Sequence, residues 1–412
     1  MIDSGMHMIE TIVIFSVLLL IAILFEPVSK RFKFPFSSLL VLVGFIGSEL
    51  IVLAGFDTGL RWDDFVGIIL HFLVPIIVFE SAFNANFKVL RSNIGTVLYL
   101  AIPCMFLASI ITGLIIFIGI GNSVGFPITS ALLAGIILSA TDPVAVVDIF
   151  KKLGAPARLT ALLEGESLFN DATAIVAYTL LVSFALNESG MQTAPSVIVF
   201  FLKNALGGLV VGLLVSYVAS RLYSLSTNHF AYALFGILTA IFSFYFAEHV
   251  LHVSGIVSVL AGGLYLGEFY RNNQANNDTF SANLWELNAY IANAILFILV
   301  GVTITVSMFT GQWLAMLMGI FAATIARTVV VYGCLPVFTF IPSVQKVDCR
   351  TKNVMMWGGL RGAVSLALAL SISTDIEGWY TIQSIVYGVV IFTLFVQAPF
   401  MEKLVLKLKE SI

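Results

Sequence analysis

The feature that most limits what this chain can fold into is its series of apolar stretches, each about 20 residues long and bounded by short polar breaks. At a rise of about 1.5 Å per residue, such a stretch spans the roughly 30 Å hydrocarbon core of a bilayer as an α-helix. Charged residues make up 10% of the 412 residues and hydrophobic ones 59%, whereas a soluble domain carries about 25% charged residues. The chain is therefore read as an all-α polytopic membrane protein. Thirteen segments are predicted, at 9–28, 35–55, 65–87, 92–119, 127–150, 158–187, 194–221, 229–248, 252–269, 282–307, 312–339, 351–373 and 379–408. A net charge of -3 and the lack of a long basic run leave nothing to track nucleic-acid phosphates. Cys104, Cys334 and Cys349 are too widely spaced for a metal or disulfide framework and read as packing residues.

Lysine and arginine mark the cytoplasmic loops of a membrane protein. Sixteen of the 20 basic residues fall in alternate connections or after the last segment, from Lys30, Arg31 and Lys33 to Lys403, Lys407 and Lys409. The opposite loops hold only Arg61, and Lys203, Arg327 and Arg361 lie inside segments. This places the amino terminus outside and the carboxyl terminus in the cytoplasm, which an odd helix count requires. No basic signal-peptide region precedes the first segment, which is expected to be retained. With the seventh segment as a connector, segments 1–6 and 8–13 form two inverted six-helix repeats, the arrangement of many secondary transporters. The expected units are an interface bundle from 1–90 and 226–310, a core transport bundle from 91–190 and 311–412, and a linker at 191–225.

In each repeat the fifth segment carries a glycine- or proline-interrupted polar stretch, Ser139-Ala-Thr-Asp-Pro-Val144 in one and Gly358-Gly-Leu-Arg-Gly-Ala363 in the other. Pro143 removes a backbone donor and clashes with the preceding turn, so the helix is expected to open beside Thr141 and Asp142 and free carbonyl oxygens there. Charged residues cluster at the same depth, although each costs roughly 2.5–3.5 kcal/mol at a membrane-helix centre. Asp142 falls about 22 Å from one end of its segment and Asp171 about 20 Å from the opposite end of the next, which brings both near the midplane. Carboxylates and free carbonyls at one depth suit a small hard cation. Around the sixth segment, Glu164, Ser167 and Asp171 fall on one side of a polar face and Glu166, Asn170 and Thr173 on the other. Ser167 and Asp171 are thus expected to face Thr141 and Asp142, and Glu166 to pair with Arg361.

Three stretches, Thr141-Asp-Pro-Val-Ala-Val-Val147, Glu164-Gly-Glu-Ser-Leu-Phe-Asn-Asp171 and Gly358-Gly-Leu-Arg-Gly-Ala-Val-Ser365, resemble signatures of the sodium/proton exchanger family, in its prokaryotic NhaP-type branch. The residues Pro75 to Asn84 resemble it more loosely. The resemblance implies a homodimer in which one bundle supplies the dimer contact and the other, with crossed broken helices five and twelve, moves against it. It implies that Asp171 binds either the cation or a proton. Thr141 and Ser167 would then supply oxygen ligands, with Asn170, Asp142 and the interface residue Glu80 completing the site. Sodium is expected at Asp171, Asp142, Thr141 and Ser167, with lithium or potassium as other cargoes, no cofactor, and Glu166 with Arg361 as a stabilising ion pair. The chain ends soon after its last segment, so the long cytoplasmic tail of the animal exchangers is not expected.

The expected function is exchange of a monovalent cation for a proton across the cell membrane, in contact with its lipid, by a transporter rather than an enzyme. Asn170, standing where a second aspartate would add charge, favours one cation for one proton. Potassium/proton exchange is the nearer alternative. A cation channel would need a filter such as T-V-G-Y-G, and an intramembrane hydrolase a G-x-G-D or H-E-x-x-H arrangement; neither occurs. Lys203 is expected to snorkel, Arg327 to pair or cap within the membrane, and Glu248, His249 and His252 to be loop residues rather than metal ligands.

Overall fold

The computed structural model describes residues 2–32, 35–55, 66–120, 126–154, 157–186, 194–223, 229–273, 279–337 and 349–409. Arg61 and the loop lysines Lys33 and Lys346 lie outside them. Helix dominates, and ten helices among the described residues are long and apolar enough to cross a membrane, among them Phe36–Leu53, Ile94–Ile120, Ser196–Tyr223 and Phe280–Thr303. The protein is an integral membrane protein.

Several helices are locally distorted where the sequence removes a backbone donor or a side chain competes for one. The fourth segment starts with a short turn, Phe87–Ser92, whose N-cap Asn86 accepts from the Val89 amide at 3.3 Å. It breaks at Asn93 and passes through a π-turn, Leu100–Cys104, that contains Pro103. A second π-turn, Phe246–Val250, ends the helix begun by His229–Tyr245. Leu251 to Ser254 then turn the chain into Gly255–Asn273, with His252 at a φ of 51°.

The two polar stretches singled out above do interrupt their helices. Ile128–Ile137 stops, residues 138–143 run unwound, and Val144–Leu153 resumes. Likewise Cys349–Trp357 is separated from Ala363–Leu370 by unwound residues 358–362.

One apolar core runs through most of the helices, and the aromatic and polar contacts that tie them fall into two groups. In one, Phe79 of Val74–Asn84 lies against Trp285 of Thr279–Thr303 with ring centroids 4.3 Å apart, and Tyr270 of Gly255–Asn273 meets both Phe83 (5.5 Å) and Tyr223 of Ala194–Tyr223 (4.9 Å). In the other, Ser109 donates to Ser139 (2.8 Å), Ser371 to Tyr178 (3.0 Å) and Gln383 to the Ala369 carbonyl (3.1 Å). Polar contacts between the groups include the Thr303–Tyr387 hydroxyl pair at 3.1 Å and Ser38 donating to the Leu394 carbonyl at 3.4 Å. The apolar windows of Val13–Phe32 and Ser196–Tyr223 are only 11% and 17% buried, against 56% for Phe280–Thr303. The first two therefore turn most of their surface to lipid or another copy of the chain.

The backbones of Phe36–Leu53 and Thr279–Thr303 approach closely where Gly44 faces Gly301. A methyl group on Gly301 would lie 2.9 Å from the Gly44 Cα and clash with the Val41 carbonyl. Overpacking of this kind costs about 1–3 kcal/mol. Gly301→Ala is accordingly expected to lower the thermal midpoint of the detergent-purified protein by several degrees, read by intrinsic fluorescence. An unchanged midpoint would mean that the two helices separate freely.

Candidate functional site

The unwound segments cross, and the Asp142 amide donates to the Leu360 carbonyl at 2.8 Å. Breaking two helices inside a membrane leaves four helix ends without their usual partners. The residues around the crossing answer them one by one. The Asp142 carboxylate accepts from the Val144 amide at 3.0 Å through one oxygen and from the Ala363 amide at 3.4 Å through the other. One negative charge thus caps the amino ends of both resumed half-helices, each of which carries about +0.5 of an elementary charge. Gly362 is required at this point, because any side chain there would occupy the space of the Asp142 carboxylate.

The carboxyl ends meet two arginines. Arg361 Nη1 donates to the Ala140 carbonyl at 3.3 Å, and the Ser365 hydroxyl lies near the Ile137 (2.8 Å) and Ala140 (3.2 Å) carbonyls. At the other broken helix, Arg327 donates to the Met355 carbonyl through Nε (3.2 Å) and Nη2 (2.9 Å). The same guanidinium forms a two-pronged pair with Glu166, Nη1 to Oε1 and Nη2 to Oε2, the latter at 3.2 Å. Glu166, Arg327 and Arg361 are 2%, 8% and 5% exposed.

The ion pair therefore differs from the expected one. Glu166 pairs with Arg327, and Arg361 goes to a helix end. The physical reason is that Arg361 lies within the crossing, beside the Ala140 carbonyl, while Arg327 on Val306–Thr328 reaches Glu166. Asn170, which periodicity places on the Glu166 side of the polar face and the resemblance places in the site, lies beside Ser167. Ser167 donates to the Thr141 carbonyl at 2.5 Å, and Asn170 Nδ2 to the Ser139 carbonyl at 2.7 Å, with the Thr141 hydroxyl at 3.4 Å. Both side chains of Ala157–Ala185 thus grip the same unwound strand, because residues three apart on a helix are neighbours on its surface.

Asp171, the next residue, is partly buried and interacts electrostatically with Asp142 and Arg361. Thr141, Ser167, Asn170, Asp142 and Asp171 are thus gathered at the crossing. Asn170 Oδ1 is buried without a hydrogen-bond donor among the described residues, which leaves an amide oxygen beside the carboxylates. Glu80 is half-buried on Val74–Asn84 and accepts from Asn84 on its own helix at 2.8 Å. Lys203 is exposed. Sequence reasoning missed Ser365 and the partner of Arg327, which pairs with Glu166 and caps the Met355 carbonyl. Ser365 could have been found from its spacing, since it stands four residues after Arg361 on the half-helix that must serve the same crossing.

Two interrupted helices crossing at an oxygen-lined, membrane-embedded site define a broken-helix transport fold. The chain matches the family described as "Sodium/hydrogen exchanger, transmembrane" over residues 15–407, and it belongs to that family. It is 34% identical to the Na(+)/H(+) antiporter ApNhaP of Aphanothece halophytica, over 97% of this chain and 74% of that protein. Identity to the Na(+)/H(+) antiporter NhaH of Halobacillus dabanensis is 32%, over 96% and 98%. The sodium proton antiporter MjNhaP1 from Methanocaldococcus jannaschii shares the fold, with a TM-score of 0.79 over 97% of this chain and 99% of that chain at 22% identity.

Removing one partner of a buried ion pair costs about 3–5 kcal/mol. Glu166→Gln is expected to lose most of its folded yield and to regain part of it when combined with Arg327→Gln. In an Arg361→Gln background, Glu166→Gln should cost as much as in the parent protein. Thermal midpoints in a double-mutant cycle read this; coupling of Glu166 to Arg361 instead would contradict the observed pair.

Proposed function

We propose that the protein is a secondary transporter that exchanges sodium for protons across the plasma membrane, with Asp171 as the group that carries either one. The observation that carries this reading is the set of oxygens around Asp171. The Thr141 carbonyl and hydroxyl, the Ser167 hydroxyl and the Asn170 amide oxygen lie on one unwound strand and the helix that grips it. A small hard cation is held by such oxygens, and the Asp171 carboxylate supplies the charge. The names of the relatives, Na(+)/H(+) antiporters, support sodium rather than potassium as cargo.

Exchange follows from competition. A cation on the Asp171 carboxylate excludes a proton from it and the reverse, and a site open to one side at a time carries one or the other on each passage. Asp142 is committed to the two half-helix ends, and position 170 is an amide, so one exchangeable negative charge remains. One sodium then moves for one proton, with no net charge transfer. A core bundle holding the crossing would move against an interface bundle in which the chain meets a second copy. Polar contacts between the bundles, such as Thr303 with Tyr387, would break and reform in that movement. The basic loops support a cytoplasmic carboxyl terminus and an external amino terminus.

Proton efflux from everted vesicles, followed with a pH-sensitive dye after sodium addition, tests this. Asp171→Asn should reduce the response to that of vesicles without the protein, and Ser167→Ala should raise the half-saturating sodium concentration several-fold. In proteoliposomes, an imposed membrane potential should leave the rate unchanged. Sodium-driven efflux by Asp171→Asn would remove the basis of the reading, and acceleration by voltage would overturn the one-for-one exchange.

A further inference from the structure

One buried polar group has no part in the site described above. A cavity of about 20 Å³ beside the crossing is lined by Arg327, Gly359, Arg361, Thr324, Thr393 and Gln397. It exceeds the roughly 10–15 Å³ that one water needs. Gln397 is 7% exposed, and no described residue hydrogen-bonds its side-chain amide. It ends the π-turn Thr393–Gln397, a distortion that recurs at functional sites. The two hydroxyls are already engaged, Thr324 donating to the Ile320 carbonyl at 2.7 Å and Thr393 to the Val390 carbonyl at 2.9 Å. Beyond the Nη1 bond to Ala140, the Arg361 guanidinium has no hydrogen-bond acceptor among the described residues. The cavity therefore offers spare N–H donors from a guanidinium and an amide, beside the acceptor oxygens of Thr324 and Gln397.

Charge makes the same point. Glu166 is committed to Arg327, and Asp142 to two helix ends. Of the carboxylates that act on Arg361, this leaves Asp171. When Asp171 holds a cation or a proton it is neutralised, and Arg361 is left without a counter-charge in a medium where that is costly.

We propose that the cavity is a binding site for a small monovalent anion of halide size, held by the Arg361 guanidinium and the Gln397 amide. Room for about one water suits a small anion, and the donors suit an ion that accepts hydrogen bonds. The argument for its charge rests on the reading of Asp171 as the loaded carboxylate; the binding itself can be tested without any transport.

The first test is a crystal structure of the full chain with bromide replacing chloride, examined for anomalous scattering. A bromide peak against Arg361 and Gln397 is expected, and Gln397→Leu and Gln397→Glu should both abolish it. A cavity holding only water, with no anomalous signal, would overturn the proposal whether or not the protein exchanges sodium. The second test is exchange in proteoliposomes with gluconate in place of chloride on both sides. The parent protein should slow several-fold, whereas Gln397→Glu, whose carboxylate takes the place of the anion, should run equally in both salts. A parent rate that is the same in chloride and gluconate would also overturn it.

Discussion

The structure depends on how the ends of two broken helices are satisfied inside a hydrocarbon layer. An unpaired backbone group there costs several kcal/mol, because no water can reach it. Asp142 resolves two ends at once, accepting from the Val144 and Ala363 amides. Arg361 with Ser365 answers one carboxyl end, and Arg327 the other. Each charge lies at the helix end of opposite sign, so the fields of the half-helices stabilise the ions and the ions stabilise the breaks.

This arrangement also explains why the site can bind an ion without being rebuilt for it. The unwound strand from Ser139 to Thr141 is fixed by Ser167 and Asn170, so its oxygens are held in place before any cation arrives. Glu166 and Arg327 bear on the end of the second broken helix and leave Asp171 as the one carboxylate at the crossing without a fixed backbone or arginine hydrogen-bond partner among the described residues. A carboxylate in that position can change its occupant while the backbone around it stays in place.

Much of this was legible in the sequence. Pro143 beside Asp142 and the glycines at 358, 359 and 362 marked both breaks, because proline and glycine act on the backbone within their own segment. Depth was legible too, since a helix rises by a fixed amount per residue. Partner choice was not. Helical periodicity gives angles around one helix, yet it says nothing about how neighbouring helices are rotated or which of two arginines is nearer. The sequence pattern therefore matches Glu166 to Arg361, whereas its partner is Arg327. The unwound strand defeats periodicity altogether, since its carbonyls do not follow the helical repeat.

The central claim is that sodium and the proton compete for one carboxylate. Equilibrium binding of radioactive sodium to the purified protein, measured across a pH series, tests it most directly. The account predicts that acidification raises the apparent dissociation constant, approaching tenfold per pH unit, while the number of sites per chain stays constant, and that Asp171→Asn loses the saturable binding. A dissociation constant independent of pH, or sodium bound without displacing a proton, would contradict it.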